Sequence, residues 1–334
     1  MKMEKLKKFW NDYKVWVIIG SLILLILISG FFYFYSDIAL NFSKDNPNGE
    51  FFKVILSVLG GIGLIYGLWI NSQRIKEQNR QNCISENSNS DQRFSDAIGY
   101  LGSDKTSIIL GGIYALYQLA KEDCRYKSIV AGLFTKFLQE HSELLYTKIE
   151  TSRKNNTNLL AIRNVPIIVK TILDLLINKD SIFIGEKLDF SSTYFKYITF
   201  KGDIKDCSFD SSLFYSCNFK CNLINCNFEL TVIKDSRFGI GTTIMENCQF
   251  WGSEMDNVTF FENIMNEVSF DLANLENFYA HTVYLTQCNF HSANFINTAN
   301  FYDINSFTDT VFSKESKNNL TFRDCKNQEE IIYL

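Results

Sequence analysis

The chain has 334 residues, a mildly acidic net charge of −4 and an ordinary hydrophobic content of 46%. At roughly 100–200 residues per domain this length predicts two or three modules, and the charge does not indicate a basic surface for nucleic acid. The nine cysteines contain no Cys-x-x-Cys pair, and their odd number, which would leave one unpaired in a secreted protein, needs no explanation in a reducing cytosol.

Two apolar segments near the N-terminus predict a transmembrane helical hairpin over residues 15–71, after an N-terminal segment at 1–14. Residues 15–35 and 51–70 are almost wholly apolar, and roughly 20 such residues cross the hydrocarbon core as a helix. A signal peptide is the alternative for the first segment. Its apolar run exceeds the roughly 7–15 residues of the hydrophobic region of a signal peptide, however, and no small-x-small cleavage site follows. We therefore expect an integral membrane protein.

The basic residues around the predicted spans are distributed asymmetrically. The loop at 36–50 contains only Lys44, whereas several basic residues precede the first span or follow the second: Lys2, Lys5, Lys7, Lys8, Lys14, Arg74, Lys76 and Arg80. Because lysine and arginine favour the cytoplasmic side of a membrane, we expect both termini in the cytoplasm and the short loop outside.

The second predicted span has a glycine-rich face that includes Gly60, Gly63 and Gly67. The spacing of Gly63 and Gly67 is a small-x-x-x-small pattern, which lets two helices approach closely. The pattern is compatible with packing of the two spans within one chain and with self-association into a homo-oligomer. The motif alone does not separate these interpretations.

A polar segment and a small helical module are predicted to follow the spans. Residues 72–91 should extend the membrane helix and then fray into a flexible linker. Gly111 and Gly112 lie inside a helical pattern that they disfavour, which indicates a close helix crossing. Apolar spacing predicts these helices within a module at 92–180: 94–101, one capped by Thr106, 126–140, and one from near Pro166 to about Asn178.

From Leu188 onward, a large apolar residue recurs with a period of five. This period fits neither the roughly 3.6-residue turn of a helix nor the two-residue alternation of a strand. A small or β-branched residue precedes most of the large ones by two positions, often with Asn or Asp between them, as in Cys217-Asn218-Phe219. Such fixed self-similarity is typical of a solenoid.

The repeat resembles the pentapeptide-repeat family, whose consensus is Ala-(Asp/Asn)-Leu-x-x. The resemblance covers about residues 188–312 and implies a right-handed quadrilateral β-helix with four pentapeptides per coil, here over residues 181–313. Since the coil ends expose backbone groups, the helical module should cap the first coil and residues 314–334 the last. The predicted fold is therefore multi-domain, with a transmembrane helical hairpin and a small α module before a pentapeptide-repeat solenoid.

With four units per coil, residues about 20 apart should stack in inward columns, in about six coils. One column would be Phe190, Phe209, Phe228, Phe250, Phe270, Phe290 and Phe312. The second would be Phe195, Phe214, Ile233, Met255, Leu275 and Phe295. The third would be Phe200, Phe219, Phe238, Phe260 and Phe301, with Phe278 and Ala280 exchanged between a small and a large site. The fourth would be Ile204, Ile224, Ile244, Ile264 or Met265, Leu285 and Phe307.

The cysteines of the repeat share one position. Cys207, Cys226, Cys248 and Cys288 fall two residues before the first Phe column and should be buried thiols. A metal site is the alternative, but a tetrahedral site needs converging ligands, and Cys207 and Cys217 lie half a coil apart. We therefore predict no metal.

No catalytic constellation is found in the sequence. His141 is the only histidine of the helical module, and His281 and His291 lie at outward repeat positions without a paired nucleophile. Because histidine chemistry needs a positioned partner, we predict no catalytic residues, no cofactor and no enzymatic activity.

Two segments upstream of the repeat extend the resemblance. A group of bacterial membrane pentapeptide-repeat proteins shares an Arg-Phe-x-x-Ala-Ile-x-x-Leu-Gly-Ser-(Asp/Glu)-Lys segment and a Gly-Gly-Ile-Tyr-Ala-Leu segment. The matching residues are Arg93, Phe94, Ala97, Ile98, Leu101, Gly102, Ser103, Asp104, Lys105 and then Gly111, Gly112, Ile113, Tyr114, Ala115 and Leu116. The resemblance implies an architecture and brings no activity with it.

Residues 239–313 contain no Lys or Arg, but they contain many acidic residues. The acidic residues that would form a possible interaction face are Glu246, Glu254, Asp256, Glu262, Glu267, Asp271 and Glu276. Some soluble pentapeptide-repeat proteins mimic duplex DNA and bind DNA gyrase, so the resemblance adds an acidic DNA mimic that binds a topoisomerase as one hypothesis. A solvated outer face is the simpler interpretation.

The sequence favours a non-enzymatic scaffold that is anchored in the membrane. In this hypothesis the solenoid is displayed in the cytoplasm to an unknown protein partner, without direct binding of nucleic acid. The alternative is a membrane-perturbing effector, for example in phage defence, in which the soluble part acts as a sensor.

Overall fold

A computed structural model describes the following residues of the chain: 20–26, 28–31, 47–154, 165–239 and 241–334. They divide into two compact units, Met1–Ser88 and Asn89–Leu334. The predicted N-terminal segment at 1–14 and part of the first predicted span lie outside the described residues.

The first unit contains apolar helical segments. Residues 20–26 and 28–31 are helical, and helix α1 spans Pro47–Leu101. Among the described residues, one helix, Lys53–Leu101, is long and apolar enough to cross a membrane, judged by length and composition. The apolar helix at Gly20–Phe31 is shorter than a span, so a hairpin of two complete spans is not shown.

The polar segment at 72–91 is helical throughout, as part of α1. The expectation of a fraying linker is wrong for this segment. It contains neither Gly nor Pro, and its Arg, Lys, Glu and Gln residues favour helix without tertiary packing. The polar composition of this segment does not exclude a helix, because a solvated helix can be polar on every side.

The helical module of the second unit contains four further elements. These are α2 Thr106–Glu122, a 3₁₀ turn Cys124–Tyr126, α3 Lys127–Lys154 and α4 Ile167–Ile177. Lys105 is the N-cap of α2 without a side-chain hydrogen bond, so Thr106 is the first helical residue and not the predicted cap. Helix α3 continues past its predicted end at 140, and Pro166 is the N-cap of α4.

Helix α2 crosses the end of α1 at Gly112. A Cβ atom at this glycine would lie 2.8 Å from the carbonyl oxygen of Ala97 and 2.9 Å from Cβ of Tyr100. At Gly111 an added Cβ would meet open space. The predicted close crossing is therefore confirmed, and it depends on the second glycine of the pair.

The Arg-Phe-x-x-Ala segment joins the end of α1 to the rest of the module. Arg93 forms an ion pair with Glu122, with an N–O distance of 2.8 Å. The hydroxyl of Tyr126 donates a hydrogen bond to Asp91, and its ring lies 5.1 Å from that of Phe94. The segment therefore serves helix packing.

The β-structure of the second unit is a solenoid of about seven turns, formed by short parallel strands in four sheets. Face 1 contains β1 Tyr194–Lys196, β4 Leu213–Tyr215, β7 Val232–Lys234, β10 Glu254–Asp256, β13 Asn274–Glu276 and β17 Asn294–Ile296. Face 2 contains β2 Thr199–Phe200, β5 Asn218–Phe219, β8 Arg237–Phe238, β11 Thr259–Phe261, β14 Tyr279–His281, β18 Ala299–Tyr302 and β21 Leu320–Arg323. Face 3 contains β3 Ile204–Lys205, β6 Leu223–Ile224, β9 Thr243–Glu246, β12 Asn263–Asn266, β15 Tyr284–Thr286 and β19 Ser306–Thr308. Face 4 contains β16 Asn289–Phe290, β20 Val311–Phe312 and β22 Ile332–Tyr333, continued in the earlier coils by single parallel bridges.

Strand register on faces 1 and 2 pairs the residues of the predicted columns. On face 1, Phe195 pairs with Phe214 and Met255 with Leu275. On face 2, Ala280 pairs with Phe260 and with Phe301. Phe278 is buried and its ring lies 5.4 Å from that of Phe260 and 5.7 Å from that of Phe301. The small and large sites are therefore exchanged within this coil, as expected.

The fourth column differs from the prediction. Its buried members are Ile204, Leu223, Met245, Met265, Leu285 and Phe307, which pair in this order. Ile244 is exposed and Ile224 and Ile264 are only partly buried. Only 19 residues separate Ile204 from Leu223 and 22 separate Leu223 from Met245, so a constant step of 20 selected the wrong neighbour.

Helix α3 covers the open edge of the first coil. The hydroxyl of Tyr146 donates to the carbonyl of Lys196 at 2.8 Å and accepts from its amide at 3.2 Å. The amide of Tyr194 donates to Oγ of Ser142 at 3.0 Å. The predicted cap by the helical module is therefore confirmed, and side-chain hydroxyls satisfy the backbone of β1.

The C-terminal segment continues the solenoid instead of only capping it. Strand β21 pairs in parallel with β18, and β22 pairs with β20. The 3₁₀ turn Glu315–Asn319, between β20 and β21, covers face 1, where Asn319 donates to the carbonyl of Phe295 at 2.9 Å. This extra turn accounts for about seven coils where six were predicted.

Candidate interaction surface

The solenoid interior is filled by side chains. The first Phe column (Phe190, Phe209, Phe228, Phe250, Phe270, Phe290 and Phe312) is fully buried, with successive ring centroids 4.6 to 5.3 Å apart. Rings of neighbouring columns meet edge to face, as between Phe250 and Phe260. Such pairs add about 0.5–1.5 kcal/mol each beyond burial. The described interior of the coils is therefore a packed core of side chains.

A groove of about 680 Å³ lies between α4 and the first coil. Its lining includes Lys170, Asp174, Lys179, Tyr197 and Lys201, and it borders Val165, the first described residue after 154. The lining combines lysines with one carboxylate. Among the described residues it brings together no nucleophile and base.

The Cys column is buried beside the Phe column. Cys207, Cys226, Cys248 and Cys288 are free thiols in the interior. The Cys288 thiol donates to the carbonyls of Met265 and Thr286, with S–O distances of 3.7 and 3.5 Å. Burial raises the pKa of the Cys288 thiol to about 12 and also raises the pKa of the Cys207 thiol, so these two side chains are neutral packing groups. Among the described residues no cluster of His, Cys, Asp and Glu is arranged to hold a metal ion.

The acidic residues of the predicted interaction face are distributed around the solenoid. Glu254, Asp256 and Glu276 lie together on face 1, on adjacent strands in direct register. Glu246 lies on face 3, and Asp271 follows the bridge residue Ser269 of face 4. Glu262 and Glu267 lie at the corners that follow β11 and β12. The seven residues therefore form no single face, because four-sided coiling sends successive outward positions in different directions.

Several of these acidic groups take part in hydrogen-bond ladders along the solenoid. Asn297 donates to Glu276 at 3.1 Å and Asn277 donates to Asp256 at 3.4 Å. At another corner Asn247 donates to Asn225 at 3.0 Å, and Asn225 to Asp206 at 2.9 Å. Corner residues such as Asn225 and Asn247 have positive φ, which Asn and Asp tolerate better than most residues. Part of the acidic composition thus serves the corners.

A stack of outward aromatic rings on face 2 was not predicted from the sequence. On face 2, the rings of Phe261, His281 and Tyr302 stack along the coils, with centroids 5.1 and 5.0 Å apart. A repeated ring at outward positions about 20 residues apart would have indicated it. His281 belongs to this stack, although the repeat pattern predicts polar residues at outward positions.

The glycines of the predicted transmembrane packing face lie on the exposed part of α1. A Cβ at Gly60, Gly63 or Gly67 would meet nothing within 4 Å. The described residues thus place no helix against this face.

No family model and no curated protein matches the chain. Two solved structures of QnrB1, a plasmid-mediated fluoroquinolone resistance protein, match with 15% identity over 47% and 46% of this chain and 86% and 85% of theirs, at TM-scores of 0.24 and 0.27. HetL, a pentapeptide repeat protein involved in heterocyst differentiation regulation from the cyanobacterium Nostoc, matches with 12% identity over 41% of this chain and 67% of its own, at a TM-score of 0.23. These values are too low to support an argument about function. The solenoid is established by the strand pairing of the chain itself.

Proposed function

We propose that the protein is a non-enzymatic binding scaffold, anchored in the bacterial cytoplasmic membrane, whose solenoid binds a protein partner in the cytoplasm. The observation that carries the proposal is the filled interior. Since side chains occupy the coils, ligand recognition is left to the outer surface, which the stacked coils hold rigid. The distribution of acidic residues over several faces does not favour a DNA-mimicking surface.

The membrane anchor is supported by the apolar part of α1. Residues such as Leu64, Ile65 and Leu68 are about 70% exposed, and water does not tolerate a long helix with apolar residues on all sides. The lysine-rich residues 1–14 and the basic residues after the apolar part support a cytoplasmic solenoid.

Membrane topology can be tested with the exposed Cys124. A membrane-impermeant maleimide applied to intact cells should leave Cys124 unlabelled and should label a cysteine introduced by Ser43→Cys in a Cys124→Ser background. Labelling of Cys124 from outside, or recovery of the chain in the soluble fraction, would contradict the anchor.

The scaffold itself is tested by affinity purification of the full-length chain from solubilised membranes. We expect to recover a specific protein partner that binds the outer surface of the solenoid. Substitution of outward residues should abolish this binding, and E254K/D256K/E276K is the variant that tests face 1. The control K105E/K121E/K136E changes as many charges on the helical module and should retain the partner. Absence of any specific partner of the intact protein would refute the scaffold.

A membrane-perturbing effector is the second candidate, supported by the open glycine face at Gly60, Gly63 and Gly67. Such a face allows helices of several copies to associate closely. If this candidate is right, high expression should depolarise cells, and Gly63→Leu/Gly67→Leu should abolish the effect. An unchanged membrane potential at high expression, with and without phage, would exclude it.

A further inference from the structure

One outward region of the solenoid is apolar where the repeat requires no apolar residue. It extends over four coils, on face 2 and around its corner with face 3, and we call it the aromatic ridge. Its members are Ile244, Phe261, Ile264, Tyr279, His281, Tyr284 and Tyr302. Tyr279, Tyr284 and Tyr302 are 40%, 46% and 42% exposed.

Register places six of the seven residues in two adjacent columns, and Tyr279 lies two residues before His281 on face 2, in register with Thr259 and Asn300. On face 2, Phe261 pairs with His281 and His281 with Tyr302. On face 3, Ile244 pairs with Ile264 and Ile264 with Tyr284. The strands of the two faces are joined by single corner segments, so the columns run side by side along the solenoid axis.

The ridge is bordered by carboxylates. Glu262 follows Phe261 at the corner, Asp303 follows Tyr302 in the same way, and Glu246 lies two residues from Ile244 on the outward side of β9. No Lys or Arg occurs between residues 239 and 313. In the next coil Arg323 pairs with Tyr302 and Asp324 follows it at the corner, so the border is mainly acidic, with one arginine at its C-terminal end. An apolar surface with a mainly acidic border is complementary to a segment that is apolar and cationic.

Stacking of Phe261, His281 and Tyr302 stabilises adjacent coils, but it does not require the exposed Ile244, Tyr279 and Tyr284. Inward columns already supply the core, and an outward tyrosine or isoleucine leaves apolar area in water. Contiguous exposed apolar patches with polar borders mark interaction sites, and tyrosine is enriched in the centres of protein interfaces.

We propose that the aromatic ridge is the docking site of a partner protein segment in which lysine or arginine alternates with large apolar residues. The apolar residues of the segment pack on Tyr279, Tyr284 and Tyr302, and its cations pair with Glu262 and Asp303. This assignment rests on the proposed scaffold function and names the surface and the chemistry of the partner.

The probe is a short fluorescein-labelled peptide of alternating lysine and leucine, titrated against the full-length protein in nanodiscs of zwitterionic lipid. Empty nanodiscs give the background. A lysine–serine and a glutamate–leucine peptide of equal length separate pure charge attraction and pure apolar attraction from the combination. Fluorescence anisotropy gives the dissociation constant.

Three variants define the surface. Y279S/Y284S/Y302S removes the exposed rings, and E262Q/D303N removes the bordering charges but keeps the shape. L230S/W251S/L272S is the matched control, since these residues are exposed apolar residues at the corner between faces 4 and 1. Circular dichroism melting curves must agree among all variants before binding is compared.

We expect the lysine–leucine peptide to bind the wild type at least about tenfold more tightly than either control peptide, a difference of about 1.4 kcal/mol. The ring variant should lose at least about tenfold and the charge variant several-fold, whereas the corner control should be unchanged. Equal binding of the lysine–serine peptide, equal loss in the corner control, or no binding to the wild type would overturn the assignment.

Two further outcomes separate this assignment from the scaffold function. A native partner that is recovered from membranes and is insensitive to Y279S/Y284S/Y302S overturns the docking site but leaves the scaffold intact. A wild-type dimer in light scattering that Y279S/Y284S/Y302S dissociates shows that a second copy occupies the ridge, which also overturns the assignment.

Discussion

At the residue scale, the adjacent glycines of α2 provide a matched pair. Gly112→Ala should destabilise the second unit by about 1–3 kcal/mol, because its Cβ would overlap the backbone of Ala97. Gly111→Ala should instead stabilise it by about 1 kcal/mol, since its Cβ meets open space and alanine favours helix. Urea unfolding followed by circular dichroism measures both. Equal effects of the two substitutions would contradict the crossing geometry.

The buried thiols predict a pH dependence of stability. Burial raises the pKa of Cys288 from an ordinary 9.0 to about 12, so the folded state holds the proton more tightly than the unfolded state does. The stabilisation is therefore complete below pH 9 and is lost as the pH rises from about 9 to about 12.

Unfolding free energies of wild type and Cys288→Ala, measured at pH 8 and at about pH 10.5, test this dependence. The wild type should lose more stability over this interval than the variant, whose side chain does not titrate. Cys83→Ala is the control, because Cys83 is exposed, and it should follow the wild type. A parallel decline of all three proteins would refute the assignment.

Individual residues also show how far the sequence could be interpreted. The inward Phe residues and the Phe278–Ala280 exchange could be predicted, because the side chains of every coil must fill the same interior volume. Leu223 and Met245 could not be identified by counting, because the coils have 19 to 22 residues and a fixed period does not show where one is lost or gained. The outward Tyr279 and Tyr284 escaped attention because the periodic signal concerns only the interior.

At the scale of elements, the contact between α3 and β1 determines how the first coil ends. Tyr146→Phe removes the hydroxyl that bonds both backbone groups of Lys196 and should cost about 1–3 kcal/mol, because two hydrogen bonds at the edge of the first coil are then lost. Hydrogen exchange at the Lys196 amide should accelerate. Tyr114→Phe, at an exposed position, should change neither. An unaltered exchange rate in Tyr146→Phe would contradict the cap.

The fifth coil tests whether volume is conserved within one layer. Phe278→Ala should cost about 3–5 kcal/mol by leaving a cavity, and Ala280→Phe about 1–3 kcal/mol by overpacking. The double variant F278A/A280F restores the arrangement of the neighbouring coils and should be more stable than Phe278→Ala. Additive losses in the double variant would show that the two sites do not share one volume.

The elements before the solenoid show the limit of polarity patterns. The segment at 72–91 was expected to fray, yet it is helical because helix propensity and the absence of Gly and Pro suffice for a solvated helix. The cap of the first coil was predictable in kind from the need to satisfy edge groups. The residues that satisfy them, Ser142 and Tyr146, carry no local signal, because they meet β1 only in the folded chain.

At the scale of the whole molecule, the chain combines an apolar helix with a rigid solenoid whose interior is closed. Sequence periodicity predicted this architecture well, since each coil adds the same unit to its neighbour. It could not predict which outward residues matter, because function is carried by departures from the repeat. The predicted acidic face illustrates this, since Glu246, Glu254 and Asp271 are near in sequence yet lie on different faces.

The most direct test of protein binding at the aromatic ridge uses a photo-reactive phenylalanine analogue at position 284 of the full-length chain, activated by light in living cells. We expect a discrete adduct with another protein that is absent when the analogue replaces Asp210 at the corner between faces 4 and 1. No adduct at position 284, or equal adducts at both positions, would contradict it.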